Sequence, residues 1–278
     1  MLQQTFHRAE RLIPAERLFT VVGRDHLQHR EVWKQLAGRT RGTVVLQPEN
    51  KDTGPGLLLP LTHLHKRYPD SVTVLFPSDH FIMQEDCFMS HVEMACQVVE
   101  QDPSRMVLLG IEPDRPEPDY GYILPGIQVN PPLRGGLRHL SGFVEKPDPA
   151  AVRGLLQKGA LWNIMVMAFK TRVLFELIQR VAPALYDAFH RIRKAIGNPR
   201  KMDIVEDVYR DIIPVNFSKD LLEMISRHYP AHLRVLPVRN VFWSDWGSEQ
   251  RIVNTLREIR ALGSPENGFG WVREWRLT

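Results

Sequence analysis

The chain has 278 residues, 43% of them hydrophobic and 24% charged, a balance that excludes an intrinsically disordered protein. No apolar run approaches the ~18 residues of a membrane span, and the start, MLQQTFHR, is no signal peptide. The net charge of +4 comes without a cluster of Lys and Arg, which favours a phosphate-bearing small molecule over nucleic acid. We therefore expect a cytoplasmic protein that binds neither membranes nor nucleic acid.

Strands and helices are predicted to alternate in the first part of the chain. Short apolar, β-branched runs indicate strands, and apolar residues at three- and four-residue steps indicate helices. The predicted strands are 18–23, 43–46, 72–76 and 106–111, and the helices between them are 25–36, 56–67 and 87–99. This alternation predicts an α/β fold with a doubly wound, mostly parallel, Rossmann-like sheet and helices on both faces.

The second part of the chain departs from this alternation. Prolines and glycines are dense between residues 112 and 149. The predicted strands are 120–124, 141–145, 161–169 and 233–238, and helices cover 171–226 with a break at 197–199. Cys87 and Cys96 share one helix about 13 Å apart along its axis, too far for a disulfide, and we expect both to be reduced.

Two aspartates are candidate metal ligands because each follows a predicted strand. Asp79 comes after strand 72–76, and Asp245 shortly after strand 233–238. Ligands of such sheets bind beyond the carboxyl ends of the strands, and two carboxylates are what Mg²⁺ usually takes from a protein. For either aspartate alone, a turn residue that caps a helix is the commoner explanation.

Other polar residues stand where a ligand could bind, and each has a structural alternative. Glu145 and Lys146 end a strand and suit a sugar hydroxyl and a phosphate, or form a solvated charge pair. Asn163, at the start of a strand, either hydrogen-bonds a ligand or satisfies a turn. Gly121 either allows close backbone approach or marks a bulge. Residues 47–56 have too many turn formers for a helix, and they either wrap a nucleotide or form an ordinary loop. Motifs of nucleophilic catalysis, zinc proteases and P-loops are absent.

Seven motifs occur together in one order along the chain. They are P-E-N-K-D-T-G-P-G at 48–56, F-P-S-D-H-F-I at 76–82, G-I-E-P at 110–113 with Y-G-Y-I at 120–123, F-V-E-K-P at 143–147, L-W-N at 161–163, F-S-K at 217–219 and W-S-D-W-G-S at 243–248. In this order they resemble the mannose-1-phosphate guanylyltransferases, within the sugar-phosphate nucleotidyltransferase family. The resemblance covers nearly the whole chain.

The resemblance implies a role for each candidate residue. Asp79 and Asp245 match the family's magnesium ligands, and Lys146 its contact to the sugar phosphate, all three with catalytic roles. Further matches are Gly121, Glu145 and Asn163 for the sugar, and Asn50, Asp52, Thr53 and Gly54 for the nucleotide. The implied reaction joins GTP and mannose-1-phosphate into GDP-mannose and pyrophosphate, with Mg²⁺ as cofactor.

The chain also departs from the family pattern. The family opens with a strand and a glycine-rich G-G-x-G-T-R-L loop that holds the triphosphate, and residues 1–278 contain neither. We therefore expect a sheet without its first strand and impaired turnover. A reading frame that starts late is favoured over a non-catalytic, sugar-nucleotide-binding regulator.

The resemblance also implies a domain organisation. We expect residues 1–278 to form one nucleotidyltransferase domain, with 1–111 as the nucleotide-binding half and 112–278 as the sugar-binding half with the C-terminal helices. The oligomeric state stays open, with a homodimer as one option.

Overall fold

The structure, a computed structural model, describes residues 1–129 and 135–261. Its α-helices are α1 (Leu2–Ala9), α2 (Arg30–Leu36), α3 (Thr53–Arg67), α4 (Glu85–Gln101), α5 (Pro149–Gln157), α6 (Thr171–Val181), α7 (Pro183–Ala195), α8 (Lys201–Asp211), α9 (Glu223–His228) and α10 (Glu249–Ala261). Its strands are β1 (Thr20–Gly23), β2 (Val44–Gln47), β3 (Val72–Leu75), β4 (His80–Ile82), β5 (Met106–Ile111), β6 (Gly121–Gln128), β7 (Arg138–Glu145), β8 (Leu161–Lys170), β9 (Leu233–Val238) and β10 (Trp243–Asp245). The break at 197–199 falls between α7 and α8, as predicted.

A six-stranded sheet in the order β3-β8-β5-β9-β7-β6 forms the centre of the structure. The predicted α/β class is confirmed, but the prediction of a mostly parallel sheet is wrong. In this sheet only β5 and β9 pair in parallel, because β8 runs antiparallel between β3 and β5 and β7 runs antiparallel to both β9 and β6. Alternating strands and helices correctly indicate that β3 and β5 point the same way, but they do not reveal that β8 inserts between them.

Helices cover both faces of this sheet, as predicted. Alternate residues of β5 show the arrangement, because side chains along a strand point to opposite faces. Met106 and Leu108 pack with residues of α3, α6, α7 and α8. Val107 and Leu109 pack with residues of α4 and α5. All four side chains are fully buried, and each face therefore has its own hydrophobic core.

Strands β1 and β2 form a separate, parallel two-stranded sheet. An open groove of about 1750 Å³ is lined by Thr20 and Val21 of β1 and by all four residues of β3, together with residues of α1, α3 and α4. In the described residues β1 pairs only with β2, and β3 only with β8. The lack of a first strand and the division of the chain at residue 111 stay predictions.

Two further predictions concern the whole chain. Cys87 and Cys96 are both free thiols, as expected from their spacing. Across residues 1–129 and 135–261, no helix is long and apolar enough to cross a membrane.

Candidate active site

A short antiparallel ribbon of β4 and β10 brings the two predicted metal ligands together. Asp245, the last residue of β10, pairs with His80, the first residue of β4 and the neighbour of Asp79. The backbone N–H of Trp246 donates to the Asp79 carbonyl oxygen at 2.8 Å, and its ring stacks on Phe81 with centroids 5.4 Å apart. The two aspartates, distant in sequence, are therefore neighbours in the fold.

The two carboxylates border one small volume beside Gly247. A side-chain carbon placed on Gly247 would lie 3.3 Å from Asp245 Oδ2 and 3.9 Å from Asp79 Oδ2. Burial raises the pKa of Asp79, and the negative charge of Asp245 raises it further. Two ionised carboxylates in this arrangement repel each other, and a cation between them would relieve the repulsion.

Two other side chains hold the Asp245 carboxylate. The Tyr120 hydroxyl donates to Oδ1, and Arg251 Nη1 donates to Oδ2 at 2.6 Å. The Arg251 guanidinium also lies 4.7 Å from the centre of the Tyr120 ring, which is a cation–π distance. Burial and the hydrogen bond to Asp245 raise the pKa of Tyr120, so its hydroxyl remains a donor at neutral pH.

The donor set of this ribbon fits a hard divalent cation. Mg²⁺ binds oxygen and takes one or two carboxylates from a protein, leaving the other positions for water and substrate phosphates. Within the described ranges, no group of three or more His, Cys, Asp or Glu side chains is arranged to hold a metal. The Asp79 side chain is 52% exposed and that of Asp245 17% exposed. The pair therefore suits a site with two protein ligands that is open to solvent on the Asp79 side.

Gly121, Glu145 and Asn163, which we call the Gly121 cluster, meet on three strands. Gly121 in β6 pairs with Glu145 in β7, and Asn163 lies in β8, which pairs with β6 through the residue next to Gly121. A side-chain carbon on Gly121 would collide with Glu145 Oε2 and would lie 3.4 Å from Asn163 Cβ. Glycine at position 121 therefore gives the Glu145 carboxylate the space that it occupies.

The charge of Glu145 depends on its burial and on its neighbours. Burial raises the pKa of Glu145 to about 7 against the opposing charge of Lys146, and the charge of Glu223 adds to the rise. The backbone N–H of Glu145 donates to Glu223 Oε1 at 2.6 Å, which holds the two residues together. Glu145 therefore changes its protonation near neutral pH, where its carboxyl group can accept or donate a hydrogen bond to a hydroxyl group.

Left-handed backbone conformations flank the Gly121 cluster. Lys146 has φ 46° and Met165 has φ 53°, which is uncommon for residues other than glycine and frequent at ligand sites. The Lys146 N–H donates to the Tyr120 carbonyl at 3.2 Å, and its side chain is exposed. Asn163 is buried, and its Oδ1 accepts from the Met165 N–H at 3.1 Å. The Asn163 amide nitrogen is therefore the group left to donate to a ligand.

The predicted nucleotide loop is partly helical. Helix α3 begins at Thr53, and the Asp52 side chain caps it by accepting from the Thr53 N–H at 2.5 Å. Asn50 in turn accepts from the Asp52 N–H at 3.0 Å. The interpretation of 47–56 as too rich in turn formers for a helix is therefore wrong from Thr53 onward. A capped first turn tolerates Pro55, because its missing N–H would have no partner inside the helix.

Residues 215–217 hold the start of α3 in place. The Gly54 N–H donates to the Val215 carbonyl at 2.8 Å, and a side-chain carbon on Gly54 would come within 2.7 Å of that oxygen. The Thr53 hydroxyl accepts from the Phe217 N–H at 2.9 Å. Close packing against Val215 therefore requires a glycine at position 54. This structural reason for Gly54 exists independently of its predicted role in nucleotide binding.

The nucleotide loop and the carboxylate pair line the same open groove. Its walls include Asn50, Asp52, Thr53, Asp79 and Asp245. The Gly121 cluster connects to this site through the chain itself, because Tyr120, which contacts Asp245, precedes Gly121. The structure thus brings the predicted metal ligands together and the predicted sugar residues together, with Tyr120 between the two groups. The ligands themselves stay predictions.

Sequence reasoning missed two residues of the site. Nothing in the sequence distinguishes Arg251 from the other arginines of α10, because its contact with Asp245 depends on the fold. Glu223, which bonds the Glu145 backbone, begins a short helix far along the chain. Tyr120 has a sequence signal, because it lies beside the candidate binding glycine Gly121, but its contact with Asp245 depends on the fold.

Comparison with known proteins gives a consistent result. The family described as nucleotidyl transferase matches residues 3–261. The xanthan biosynthesis protein XanB of Xanthomonas campestris pv. campestris is 30% identical over 269 residues, 96% of this chain and 54% of XanB. Mannose-1-phosphate guanylyltransferase 2 of Escherichia coli O157:H7 is 27% identical over 238 residues, 81% of this chain and 47% of that protein. The chain spans about half the length of the curated relatives it matches.

A solved structure extends the likeness to the fold. A protein of Thermus thermophilus named mannose-1-phosphate geranyltransferase superposes with a TM-score of 0.73 at 27% identity. The superposition covers 88% of this chain and 65% of that chain. The sequence match and the superposition therefore each extend into both predicted halves of this chain.

Proposed function

The chain belongs to the nucleotidyl transferase family, and from this premise we propose that its reaction is the transfer of GMP from GTP to mannose-1-phosphate. The products are GDP-mannose and pyrophosphate. The observation that carries the proposal is the convergence of Asp79 and Asp245 on one volume beside Gly247. The resemblance in seven ordered motifs and the relatives named mannose-1-phosphate guanylyltransferase support the choice of base and sugar.

The nucleotide side of the reaction uses the groove. Asp79 and Asp245 would hold Mg²⁺, which when bound neutralises negative charge on the phosphates at the reacting centre. Phosphoryl transfer of this kind depends on positioning and charge neutralisation more than on covalent catalysis. Residues at the start of α3 bind the nucleotide in this proposal, namely Asn50, Asp52, Thr53 and Gly54.

The sugar side of the reaction uses the Gly121 cluster. Glu145 accepts hydrogen bonds from sugar hydroxyls when ionised, Asn163 donates from its amide nitrogen, and Gly121 leaves room for the ring. Lys146 follows Glu145 directly and binds the sugar phosphate, whose oxygen attacks the α-phosphorus of GTP. The in-line geometry then expels pyrophosphate on the opposite side.

Turnover by the 278-residue chain is slow in this proposal. Residues 1–278 contain no glycine-rich loop, and backbone N–H groups in such loops bind phosphate oxygens. Binding of the sugar nucleotide depends on other residues and should persist. A cytoplasmic location and a homodimer stay predictions.

Pyrophosphate release tests the proposal. The purified chain is incubated with GTP, mannose-1-phosphate and MgCl₂, and matched mixtures contain UTP or glucose-1-phosphate instead. We expect slow release that requires GTP and mannose-1-phosphate and that Asp245→Asn abolishes, while the control Asp207→Asn, at a half-exposed position of α8, retains it. Release with no preference for the substrate pair would contradict the specificity, and rapid release would contradict the need for the loop.

A second function, a non-catalytic regulator that binds a sugar nucleotide, is favoured by one observation. Both Asp245 oxygens already accept hydrogen bonds from protein side chains, Tyr120 and Arg251. Calorimetric titration with GDP-mannose separates the two functions. Binding without any pyrophosphate release supports the regulator, and turnover, however slow, supports the enzyme.

A further inference from the structure

Arg251 occupies an unusual position for a cation in a candidate metal site. Its Nη1 donates to Asp245 Oδ2 at 2.6 Å, and its side chain is only 21% exposed. Its Nη2 lies 3.5 Å from Asp119 Oδ2, at the surface. The guanidinium thus spans from the interior of the site to a second carboxylate outside it.

The Asp245 oxygen that Arg251 contacts borders the same volume beside Gly247 as an Asp79 oxygen. The position of a side-chain carbon on Gly247 lies 3.3 Å from Asp245 Oδ2, 3.9 Å from Asp79 Oδ2 and 4.0 Å from Arg251 Nη1. A divalent cation that bridged the two oxygens would therefore lie close to a fixed positive charge. It would also compete with Arg251 for the same oxygen, because the Tyr120 hydroxyl already engages the other one.

We propose that Arg251 is a resident counter-ion of the carboxylate pair that a divalent cation must displace from Asp245 in order to bind. This inference rests on the metal site of the proposed function and adds a residue that sets its affinity. Asp119 provides the displaced guanidinium with a carboxylate within reach of its second nitrogen. Arg251 thereby neutralises the repulsion between Asp79 and Asp245 when the metal is absent.

A positioning role for Arg251 makes the opposite prediction. If the arginine only oriented Asp245 as a ligand, removing it would loosen the carboxylate and weaken metal binding. If the arginine is a competitor, removing it frees a lone pair and removes a positive charge, and metal binding becomes stronger. The sign of the change in affinity therefore distinguishes the two roles.

Binding of Mn²⁺ alone, followed by the loss of the free-ion electron paramagnetic resonance signal, tests the inference without catalysis. We expect Arg251→Ala to bind Mn²⁺ at least tenfold more tightly than the unmodified chain. Arg251→Gln keeps most of the side-chain volume without the charge and should show the same gain. Arg251→Lys keeps the charge and should stay within about threefold of the unmodified chain.

Arg257→Ala is the matched control, because it removes the same charge from an exposed position on the same helix. It should leave Mn²⁺ affinity unchanged. Unchanged or weaker binding by both neutral Arg251 variants would overturn the inference, and so would an equal gain in the control. Circular dichroism melting identifies any variant that fails to fold, and Arg251→Gln then provides the comparison.

Asp79→Asn in the Arg251→Ala background separates this inference from the proposed function. Loss of the gained affinity places the ion at the carboxylate pair and supports both. A gain that survives Asp79→Asn shows that the ion does not need Asp79, which overturns both the inference of a counter-ion for the pair and the proposed shared metal site. If the unmodified chain binds Mn²⁺ through Asp79 and the neutral variants show no gain, the inference fails and the metal site stands.

Discussion

The carboxylate pair and the Gly121 cluster lie next to each other but are held by different forces. Asp79 and Asp245 belong to a ribbon of two three-residue strands, and charged side chains from α1 and α10 contact that ribbon. The Gly121 cluster is part of the six-stranded sheet, and its geometry depends on the absence of one side chain. Charge therefore dominates the first region, and shape the second.

This difference predicts how each region responds to change. A region held by charges should be sensitive to losing a cation and to pH, and it should contain repulsion that a substitution can relieve. A region defined by shape should be sensitive to one added carbon. The following substitutions, in order of decreasing effect, test this contrast.

The largest loss of stability is expected from Arg8→Ala. The Arg8 side chain is buried, and it donates to the His80 carbonyl at 3.3 Å and lies 3.5 Å from a Glu85 carboxylate oxygen. Removing it leaves the buried carbonyl oxygen of His80 without this donor and takes the buried partner from Glu85, at an expected cost of about 4 kcal/mol in the free energy of unfolding. Urea denaturation measures this loss.

Arg11→Ala is the control for that change. Arg11 also pairs with Glu85, at 2.8 Å, but its side chain is 40% exposed. Its loss should reduce stability by less than about 1 kcal/mol. Equal losses for the two variants would show that the buried arginine does not support β4.

Gly121→Ala should destabilise the protein by about 2–3 kcal/mol, because the new methyl group overlaps the Glu145 carboxylate. Binding of GDP-mannose should be lost with it. Gly154→Ala is the control, because no atom lies within 4 Å of the added carbon at that helical position. It should leave binding intact and add about 0.5–1 kcal/mol to stability. Normal binding by Gly121→Ala would remove Gly121 from the sugar site.

The pH dependence of stability should reflect Glu145. Its pKa is about 7 in the folded protein and about 4.3 in an unfolded chain. The folded state therefore binds the proton more tightly, so this group favours folding at low pH and its contribution is lost as the pH rises through 7. Between pH 5 and 8 the unmodified chain should lose about 2 kcal/mol relative to Glu145→Gln. Urea denaturation measures the free energy of unfolding of both proteins at the two pH values. The same difference between the proteins at pH 5 and at pH 8 would contradict this prediction.

Asp79→Asn should have the smallest effect, a gain in stability. Burial and the charge of Asp245 raise the pKa of Asp79, so its ionised form disfavours folding, and this penalty appears as the pH rises through the folded pKa. Because the side chain is half exposed, solvent screening reduces the gain to about 0.5 kcal/mol at pH 8. The gain should vanish at pH 3. Asp70→Asn, at an exposed turn, should change nothing at either pH.

Much of the fold could be predicted from apolar runs. Strands β5 and β9 have the bounds 106–111 and 233–238 that the sequence indicates, because a fully buried strand is apolar from end to end. The direction of β8 could not be predicted, because pairing depends on contacts that periodicity does not encode. The start of α3 was misplaced by three residues because the cap by Asp52 was not recognised.

The candidate site was predictable only in part. Asp79 and Asp245 were found by their positions after strands, but β4, which joins them, has three residues and is too short for a periodic signal. Gly121 was noticed as a glycine in a strand, while the reason for it, the Glu145 carboxylate, depends on β6 and β7 pairing in one register. Arg251 reaches Asp245 only because α10 folds back on β10.

The central claim is that Asp79 and Asp245 share one divalent cation. Crystals of the unmodified chain grown in MnCl₂, with data collected at the manganese absorption edge, test it directly. We predict one anomalous peak within about 2.5 Å of an oxygen of each carboxylate, with the Arg251 guanidinium moved toward Asp119. A peak that contacts neither aspartate, or only one of them at full occupancy, would contradict the account.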